Sequence, residues 1–385
     1  MSDAIYLDYQ ATTPLAPEAF AAMEPWLRDN FWNPHSAHVG GRKAAAAVEV
    51  AREQVAALLP SGGRVIFTSC ATEAINLAIK GCGLPVSALA TEHAAVLDCV
   101  ENLGGDVVPL ASDGLFSPLP FRGEAARLGA DRHLVAAERG FGANSSPSQP
   151  CLLEGRGLFA AMLINNEIGT IQPIAKIADA VHANGSLLLC DAVQAYGRIA
   201  IPASPDLIAI SAHKMHGPKG IGALWMRDGV ELQSLIHGGG QEQGLRSGTL
   251  SPALCAGFGA AATLAAERME ADAAHVEQLW NRATELFADW TVNGGTTHRY
   301  KGNLNIRRDG LDVARLMSEC RDVMFSAGSA CASGSGRPSH VLRAIGLTDV
   351  QAKSSIRLGW GRYTIMEEIE RAAALINAAA ERQLA

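Results

Sequence analysis

The sequence lacks the features that mark membrane-bound, secreted or metal-binding proteins. No apolar run approaches the roughly 18 residues that a membrane-spanning helix needs. The first residues, MSDAIYLDYQ, carry acids where a signal peptide would carry basic residues. The eight cysteines are scattered and form no CxxC pair, so we expect no metal centre and mostly reduced, buried thiols. These absences predict a cytoplasmic protein without a membrane segment.

Positive charge is also scarce. The 32 lysines and arginines oppose 39 aspartates and glutamates, which gives a formal net charge of −7. A surface of this sign does not attract nucleic-acid phosphates or anionic lipids, so neither is an expected partner. Hydrophobic residues make up 48% of the 385 residues, which is enough for a folded core and excludes a disordered chain or a short binding peptide.

Short apolar runs alternate with helical patterns from residue 40 onward. Such an alternation predicts a mostly parallel sheet that is covered by helices on both faces. The runs lie at residues 64–69, 88–91, 106–111, 159–166, 186–192, 207–211 and 222–226. Residues 112–157 are rich in Pro, Gly, Ser and Arg, and predict an irregular excursion with one helix near 123–128.

An Ala-rich helical pattern begins after Pro252 and continues towards Trp290, over about residues 252–290. It predicts a long helix that links the first α/β unit to a second, smaller one. We therefore expect a large domain at residues 16–258 and a small domain formed by residues 1–15 and 259–385.

The segment SCATEAINLAIKG predicts a strand that turns directly into a helix. The strand ends at Ser69, the chain turns through Ala71, and the helix starts near Thr72. Free N–H groups at a helix start, together with the Thr72 hydroxyl, suit a phosphate group. The alternative is an ordinary helix cap by Thr72, with Glu73 in the first turn.

The segment SAHKMHGPKGIG follows a predicted strand and places Ser211, His213 and Lys214 at its end. Only seven of the 32 basic residues are lysines, and Lys214 is the one nearest a strand end, with hydroxyl and imidazole neighbours. A lysine in such a setting suits the covalent binding of an aldehyde cofactor. The alternative is a solvated surface lysine.

Asp191 ends the apolar strand in LLLCDAVQAYG. A carboxylate there needs a partner, because burying it unpaired is costly, and a protonated pyridine nitrogen would be such a partner. Gln194, three residues later, is placed to donate to a ring oxygen. The alternative for Asp191 is a structural cap of the next turn. A phosphate cradle, an aldehyde-binding lysine and an acid for a pyridine nitrogen are together what pyridoxal phosphate requires.

Two further side chains suit a substrate. Arg357 lies mid-strand in SSIRLGWGR, and its planar guanidinium would bind an α-carboxylate. The alternative for Arg357 is an ion pair between the domains. His93 in TEHAAV follows an extended run and would stack on the cofactor ring or move protons. The alternative for His93 is a helix cap or another satisfied polar group.

Cys331 differs from the other seven cysteines in its surroundings. Its neighbours in SAGSACASGSGRPSH are small and polar, a composition that predicts a mobile exposed loop at about residues 327–338. Pro338 and Ser339 would begin a helix that anchors the far end of this loop. An exposed thiol on a flexible arm suits attack on a substrate and delivery to an acceptor. The alternative is a surface cysteine without a function.

Ten segments, in order from residue 6 to residue 364, are typical of one enzyme family. They are YLDYQATTP, NPHSAHVGGR, FTSCATEAINLAIKG, TEHAAVLD, NNEIGTIQPI, CDAVQAYG, SAHKMHGPKGIGAL, GGGQEQGLRSGTL, SAGSACASGSGRPSHVLRAIG and SSIRLGWGRYT. In these segments the chain resembles cysteine desulfurases of the NifS/IscS type, in the class V aminotransferase group of fold-type I pyridoxal-phosphate enzymes. The resemblance implies an α/β protein of fold type I, with a mostly parallel seven-stranded sheet in the large domain and a smaller α/β C-terminal domain. One departure is Cys70, which stands where the family pattern SGATE has glycine.

The resemblance also implies a function. The expected reaction converts L-cysteine to L-alanine and leaves the sulfur on Cys331 as a persulfide, from which it passes to an iron–sulfur scaffold protein or a thiolation relay. The expected cofactor is pyridoxal 5'-phosphate, and the expected assembly is a homodimer. Rival functions are a selenocysteine lyase or another class V enzyme, and a non-catalytic assembly partner that keeps the fold.

Specific roles follow from the same resemblance. Lys214 would bind the cofactor aldehyde and move the substrate's α-proton, Cys331 would attack the substrate's sulfur, and His93 would stack on the ring and handle protons. Asp191 would pair with the pyridine nitrogen, and Gln194 would contact the ring hydroxyl. Asn166 and Arg357 would position the substrate, Arg357 through its carboxylate. The phosphate contacts would come from Ala71, Thr72, Ser211, His213 and, in the other subunit of the dimer, Thr249.

Overall fold

The chain has an α/β architecture, seen in a computed structural model that describes residues 4–116, 156–328 and 338–385. The strands are β1 (Ile5–Tyr6), β2 (Gly63–Thr68), β3 (Val86–Leu89), β4 (Asp106–Val108), β5 (Leu158–Met162), β6 (Leu187–Asp191), β7 (Leu207–Ser211), β8 (Gly222–Arg227), β9 (Thr291–Val292), β10 (Asn303–Arg307), β11 (Val323–Met324), β12 (Ser326–Ala327) and β13 (Ser355–Gly359). The helices are α1 (Pro17–Arg28), α2 (Val39–Ala56), α3 (Ala71–Gly81), α4 (Ala94–Asn102), α5 (Ile174–His182), α6 (Pro252–Leu286), α7 (Val313–Glu319), α8 (His340–Ala344), α9 (Asp349–Lys353) and α10 (Met366–Leu384). The helix expected near residues 123–128, most of the 112–157 segment and residues 329–337 of the Cys331 loop lie outside the described residues.

Seven strands form the large sheet, in the order β2-β8-β7-β6-β5-β3-β4. The pairs from β7 to β4 are parallel, and β8 runs antiparallel to both of its neighbours. The mostly parallel seven-stranded sheet expected from the sequence is confirmed. Ile66 and Phe67, neighbours in β2, point to opposite faces of the sheet and belong to two different apolar cores. This is expected when helices cover both faces of a sheet.

A second sheet has four antiparallel strands in the order β12-β13-β10-β9. β1, close to the start of the chain, pairs in parallel with β11. A separate apolar core surrounds this unit and includes Leu304 and Trp360. The domain boundaries at residues 15/16 and 258/259 stay a prediction, which the separation of these cores supports.

Helix α6 connects the large core to the core of the second sheet. It begins after Ser251, whose hydroxyl accepts from the N–H of Leu254. Phe258 near its start lies in the large core, and Trp280 near its end lies in the other. Although α6 is 35 residues long, neither it nor any other helix in the described ranges is apolar enough to cross a membrane.

The cysteines within the described ranges are free thiols, as expected. Cys99, Cys190, Cys255 and Cys320 are buried, whereas Cys70 and Cys82 are half-buried. Cys151 and Cys331 lie outside the described residues. The sequence-based view of the described cysteines as reduced and mostly buried residues is therefore confirmed.

Candidate active site

The predicted site residues gather at the edge where the parallel strands of the large sheet end. Asp191 is the last residue of β6, and Ser211 is the last residue of β7. Lys214 follows β7 in a single turn of 3-10 helix. The carboxyl ends of parallel strands are where open α/β sheets bind ligands, so this edge is the candidate active site.

Lys214 is half-buried, and its amine is held by the N-terminal segment. Nζ donates to the carbonyl oxygen of Gln10 at 2.6 Å and to that of Ala11 at 2.8 Å. Nη2 of Arg198 donates to the carbonyl oxygen of Lys214 at 2.6 Å, so the backbone of this lysine is fixed as well. Lys214 is therefore not the solvated surface lysine that was the alternative.

Gln194 lies beside Lys214 because the two side chains share an acceptor. Nε2 of Gln194 donates to the same Gln10 carbonyl at 3.0 Å. Oε1 of Gln194 accepts from Nη1 of Arg198 at 2.7 Å. The Gln10 carbonyl thus holds both side chains that the resemblance assigns to the cofactor, and Arg198 holds the Gln194 side chain and the Lys214 backbone.

Asp191 and Glu92 are two buried carboxyl groups beside the end of β5. Oδ1 of Asp191 accepts from the N–H of Val193 at 2.9 Å, so the capping bond that was the alternative role is present. Oε1 of Glu92 accepts from the N–H of Met162 at 2.7 Å, and Met162 lies opposite Asp191 in the β5–β6 register. Burial raises the pKa of Asp191 to about 6, although the Val193 hydrogen bond and the Lys214 charge lower it. Burial and the Asp191 charge raise the pKa of Glu92 well above its usual range, so the pair favours a single negative charge on Asp191.

The turn before α3 has the shape expected of a phosphate site but a different cap. The helix begins at Ala71, and Cys70 is the N-cap residue, although its side chain makes no capping bond. Thr72 lies in the first turn and is exposed. The alternative interpretation of Thr72 as the cap is therefore wrong, because the observed cap lies two residues earlier, at Cys70. Glu73 anchors the turn by accepting from the N–H of Ser69 at 2.8 Å.

Ser211 and His213 lie close to this turn through β7 and β8. A Cβ at Gly222 of β8 would lie 2.7 Å from the carbonyl carbon of Cys70, and Gly222 pairs with Ser211. Oγ of Ser211 is buried and has no hydrogen-bond partner among the described residues. Burial and the charges of two lysines lower the pKa of His213 to about 4, so its ring is neutral at neutral pH. A ligand oxygen would supply the hydrogen bond that the buried hydroxyl lacks.

Thr249 stands apart from these residues. It is exposed on the loop that precedes α6. Within the described part of the chain, no hydrogen bond joins it to the phosphate turn. The structure of one subunit therefore does not bring Thr249 to the residues with which the resemblance groups it.

His93 is the N-cap residue of α4, so its alternative role as a cap is observed. Its Nδ1 accepts from the N–H of Ala95 at 3.0 Å. Burial and the charge of Lys214 lower the pKa of His93. The ring is thus neutral and close enough to Lys214 to feel its charge.

Arg357 is only 1% exposed and makes an ion pair with Asp8. Both residues belong to the predicted small domain, so this is not the ion pair between the domains that was the alternative. Nη2 donates to Oδ1 of Asp8 at 2.7 Å, and Nη1 donates to the carbonyl oxygen of Asn166 at 3.1 Å. Nε of Arg357 and Oδ1 of Asn166 are buried without a hydrogen-bond partner among the described residues. Unsatisfied polar atoms on two adjacent residues predict that a polar ligand binds here.

Several residues at this edge escaped the sequence analysis. They are Asp8, Gln10, Glu92, Glu167 and Arg198. Glu92 directly precedes His93 in TEH, and Glu167 directly follows Asn166 in NNE. A single acid shortly after an apolar run, next to a predicted site residue, is the signal that the sequence offers. Burial raises the pKa of Glu167 to about 7, while Ser339 and Arg357 lower it.

Cys331 lies outside the described residues, but the residues on either side of positions 329–337 are described. Gly328 donates its N–H to the carbonyl oxygen of Ser355 at 2.8 Å. Ser339 caps α8, as the sequence predicted, by accepting from the N–H of Leu342. The segment that carries Cys331 therefore begins beside β13, the strand that holds Arg357, and ends at the capped start of α8.

Comparisons with known proteins bear on the family and the fold of this chain. The family model for class-V aminotransferases matches residues 5–111 and 125–372. The chain is 38% identical over 390 aligned positions to the cysteine desulfurase IscS of Rickettsia akari, covering 97% of this chain and 90% of that protein. It superposes on a NifS-like protein from Rickettsia africae with a TM-score of 0.83 and 25% identity, covering 98% of this chain and 99% of the other. It also superposes on SspA, solved in complex with cysteine, with a TM-score of 0.73 and 32% identity, covering 94% and 100%.

The regions matched by the family model include every candidate site residue described above, from Asp8 to Arg357. The solved relatives have the same fold over nearly the whole chain. The chain therefore belongs to the class-V aminotransferase family, among its cysteine desulfurases of the NifS/IscS type.

Proposed function

We propose that this protein is a pyridoxal-phosphate-dependent cysteine desulfurase. The observation that carries the proposal is the grouping of Lys214 and Asp191 at one sheet edge, beside the unsatisfied hydroxyl of Ser211. The matches to named cysteine desulfurases and to a relative solved with cysteine support the same function.

The residues present fit pyridoxal phosphate. The buried hydroxyl of Ser211 and the first turn of α3 would hold the phosphate, with Ala71, Thr72 and His213. Asp191 would hold a proton on the pyridine nitrogen, since a buried carboxylate gains most from a cationic partner. When bound, the cofactor supplies an electron sink for bonds to the substrate's α-carbon.

Lys214 would serve twice in this site. Its amine would bind the cofactor aldehyde in the resting enzyme, which requires that it leave the carbonyl oxygens of Gln10 and Ala11. With the substrate in the site, Nζ would take the α-proton of cysteine and return a proton to the product. His93, with a lowered pKa, would stack on the ring and accept protons there, and Gln194 would contact the ring hydroxyl.

Substrate binding would fall to Arg357 and Asn166. The guanidinium of Arg357 would bind the α-carboxylate, and Nε, which lacks a partner among the described residues, is the donor best placed for this role. Asp8 already accepts from Nη2, so it would hold the guanidinium in position rather than compete for the same N–H.

The overall reaction balances on one cysteine thiol of the chain. The carbon–sulfur bond of L-cysteine breaks, a sulfur–sulfur bond forms at Cys331, and the thiol proton of Cys331 ends on the methyl group of L-alanine. The product on the enzyme is a persulfide, which carries the sulfur to an acceptor. We propose an iron–sulfur scaffold protein or a thiolation relay as the acceptor, in the cytoplasm, where free thiols such as those of the described cysteines persist.

We also propose a homodimer in which the partner subunit completes the phosphate site with Thr249. Phe31 is 79% exposed and Val39 75% exposed, and Leu235 and Ile236 are exposed near the loop that carries Thr249. Exposed apolar side chains of this size are typical of an interface. A dimer would cover them and account for the exposure of Thr249.

The test compares two lysines of the same turn region. Replacing Lys214 by Ala should abolish the visible absorption band of the lysine-bound cofactor and the formation of alanine from cysteine. Lys219→Ala, at an exposed neighbouring lysine, should retain both. A band that survives in Lys214→Ala would refute the assignment. Absence of the band in the wild type after cofactor addition would refute the enzyme function as a whole and favour a non-catalytic role.

A further inference from the structure

Glu167 is buried between the proposed substrate residues and the end of the Cys331 segment. It is 1% exposed and directly follows Asn166 in the chain. Oε2 of Glu167 accepts from the hydroxyl of Ser339, the residue that caps α8. Because α8 is the first helix after residues 329–337, this hydrogen bond fixes the start of the structure that follows the Cys331 segment.

The other end of the same segment is held through Asn305. Nδ2 of Asn305 donates to the carbonyl oxygen of Glu167 at 3.1 Å and to that of Gly328 at 3.3 Å. Asn305 lies opposite Arg357 in the β10–β13 register. Glu167 is therefore hydrogen-bonded to Ser339 directly, and it is linked to Gly328 through the side chain of Asn305.

The two ends also touch each other. A Cβ at Gly328 would lie 2.9 Å from Cδ1 of Leu342 in α8 and 3.0 Å from Cβ of Ser355 in β13. The glycine thus allows α8 to pack on the strand that carries Arg357. A shift of α8 would move one end of the Cys331 segment relative to the proposed substrate site.

We propose that Glu167 is a positioning residue that fixes both ends of the Cys331 segment relative to Arg357 and Asn166. This inference rests on the proposed function, in which Cys331 receives the substrate's sulfur. The contribution of Glu167 is geometric: its carboxyl group holds α8 through Ser339, and its carbonyl group holds Asn305. Fixed ends limit the volume that the thiol of a flexible segment can reach, and loss of such positioning can cost a reacting group on the order of a hundredfold in rate.

The first experiment measures a single turnover of the full-length holoenzyme with L-cysteine. Glu167→Ala and Ser339→Ala should form persulfide on Cys331 about tenfold to a hundredfold more slowly than the wild type. Their cofactor absorption and the cysteine concentration at half-saturation should stay within about twofold, since neither side chain is hydrogen-bonded, within the described ranges, to a residue that is proposed to hold the cofactor. Glu167→Gln keeps an acceptor oxygen for Ser339 and should recover most of the rate. The double variant should be no slower than the slower single variant, because both changes remove the same hydrogen bond.

Thr348→Ala is the matched control, because Thr348 caps α9 as Ser339 caps α8 but is exposed, and its hydroxyl bonds only Gln351 among the described residues. Its rate should equal that of the wild type. Wild-type transfer rates in both Glu167→Ala and Ser339→Ala would overturn the inference. Loss of cysteine binding in these variants would overturn it as well, since Glu167 would then support the substrate site itself.

Hydrogen exchange tests the same hydrogen bond without reference to activity. Glu167→Ala should speed amide exchange in α8 but leave α9 unchanged. Unchanged exchange in α8 would overturn the inference even if turnover fell. If instead the wild type forms no persulfide on Cys331, the proposed function fails, and the exchange experiment still decides whether Glu167 anchors α8.

Discussion

Buried carboxyl groups are the most informative single residues of this protein. Asp191, Glu92 and Glu167 are all buried close to the proposed site, and the pKa of each is raised by that burial. A buried acid is costly for the folded chain unless a partner offsets the cost. The cofactor would be such a partner for Asp191, so the folded protein without it should be measurably less stable at higher pH.

The pH dependence of stability follows from the sign of the Asp191 shift. Its pKa is about 6 in the folded chain against a usual 3.8, so the folded state binds the proton more tightly than the unfolded state. The stabilisation is complete below about pH 4 and is lost as the pH rises through about 6. At about 1.4 kcal/mol for each pKa unit, the full change is on the order of 3 kcal/mol.

We therefore predict that the melting temperature of the cofactor-free wild type falls more steeply between about pH 4 and about pH 7 than that of Asp191→Asn. Asp309→Asn, at an exposed aspartate, should follow the wild type. Addition of the cofactor should remove the Asp191 contribution, because a pyridinium cation would keep the carboxylate ionised. Parallel curves for wild type and Asp191→Asn would contradict the assignment of a raised pKa to this residue.

For single residues, the observed contacts agree to different degrees with the roles that the sequence predicts. Lys214 and Asp191 were found because each follows a strongly apolar strand, which fixes where it lies on the sheet. His93 and Asp191 also make the bonds of their alternative roles, a helix cap and a turn cap. Arg357 makes an ion pair with Asp8, which lies within the same predicted domain and not between the domains. A side chain that is held in place in this way is preorganised for a ligand, so the structural and the functional interpretation of these residues are compatible.

At the scale of elements, the close approach of β8 to the start of α3 determines the shape of the phosphate turn. Gly222 allows this approach, because a Cβ there would lie 2.7 Å from the carbonyl oxygen of Ile210 and 2.9 Å from the amide nitrogen of Ala71. These neighbours are backbone atoms, which cannot rotate away. A side chain at residue 222 would push the strand and the turn apart.

We predict that Gly222→Ala lowers the free energy of unfolding by about 1–3 kcal/mol and weakens cofactor binding by about tenfold or more. Gly295→Ala is a suitable control, since a Cβ at that position comes no closer than 3.3 Å to its neighbours. Urea unfolding and titration of the visible cofactor band measure the two effects. Cofactor affinity equal to that of the wild type in Gly222→Ala would show that the turn is not part of the phosphate site.

Element boundaries were predicted well where the apolar pattern was strong and less well at turns. The strands and α6 lie within a few residues of their expected positions, because hydrophobic periodicity is a local signal. The sequence predicts the start of α3 near Thr72, one residue late, and its alternative cap, Thr72, lies two residues after the observed cap Cys70. Cysteine is not a usual capping residue, and the strand-to-helix turn is set by its packing on β8 rather than by local sequence.

At the scale of the whole molecule, the contacts that the sequence could not predict are those between distant segments. Lys214 is held by the carbonyl oxygen of Gln10, 204 residues earlier in the chain, and Arg357 is held by Asp8, 349 residues earlier. No periodicity or local motif records which distant segment covers a site. The family resemblance supplied the function, and the structure supplied the N-terminal segment as the element that fixes the reactive side chains.

The central claim is that one thiol of this chain receives the substrate's sulfur. To test it, the purified holoenzyme is incubated with L-cysteine and digested without reducing agent, and the mass of the peptide that contains residue 331 is measured by mass spectrometry. We expect the mass of this peptide to increase by one sulfur atom and L-alanine to appear in solution. The masses of the peptides that contain Cys70 or Cys82 should not change. Alanine formation without added sulfur at Cys331, or equal turnover of Cys331→Ala on cysteine, would contradict it and favour a lyase that needs no persulfide.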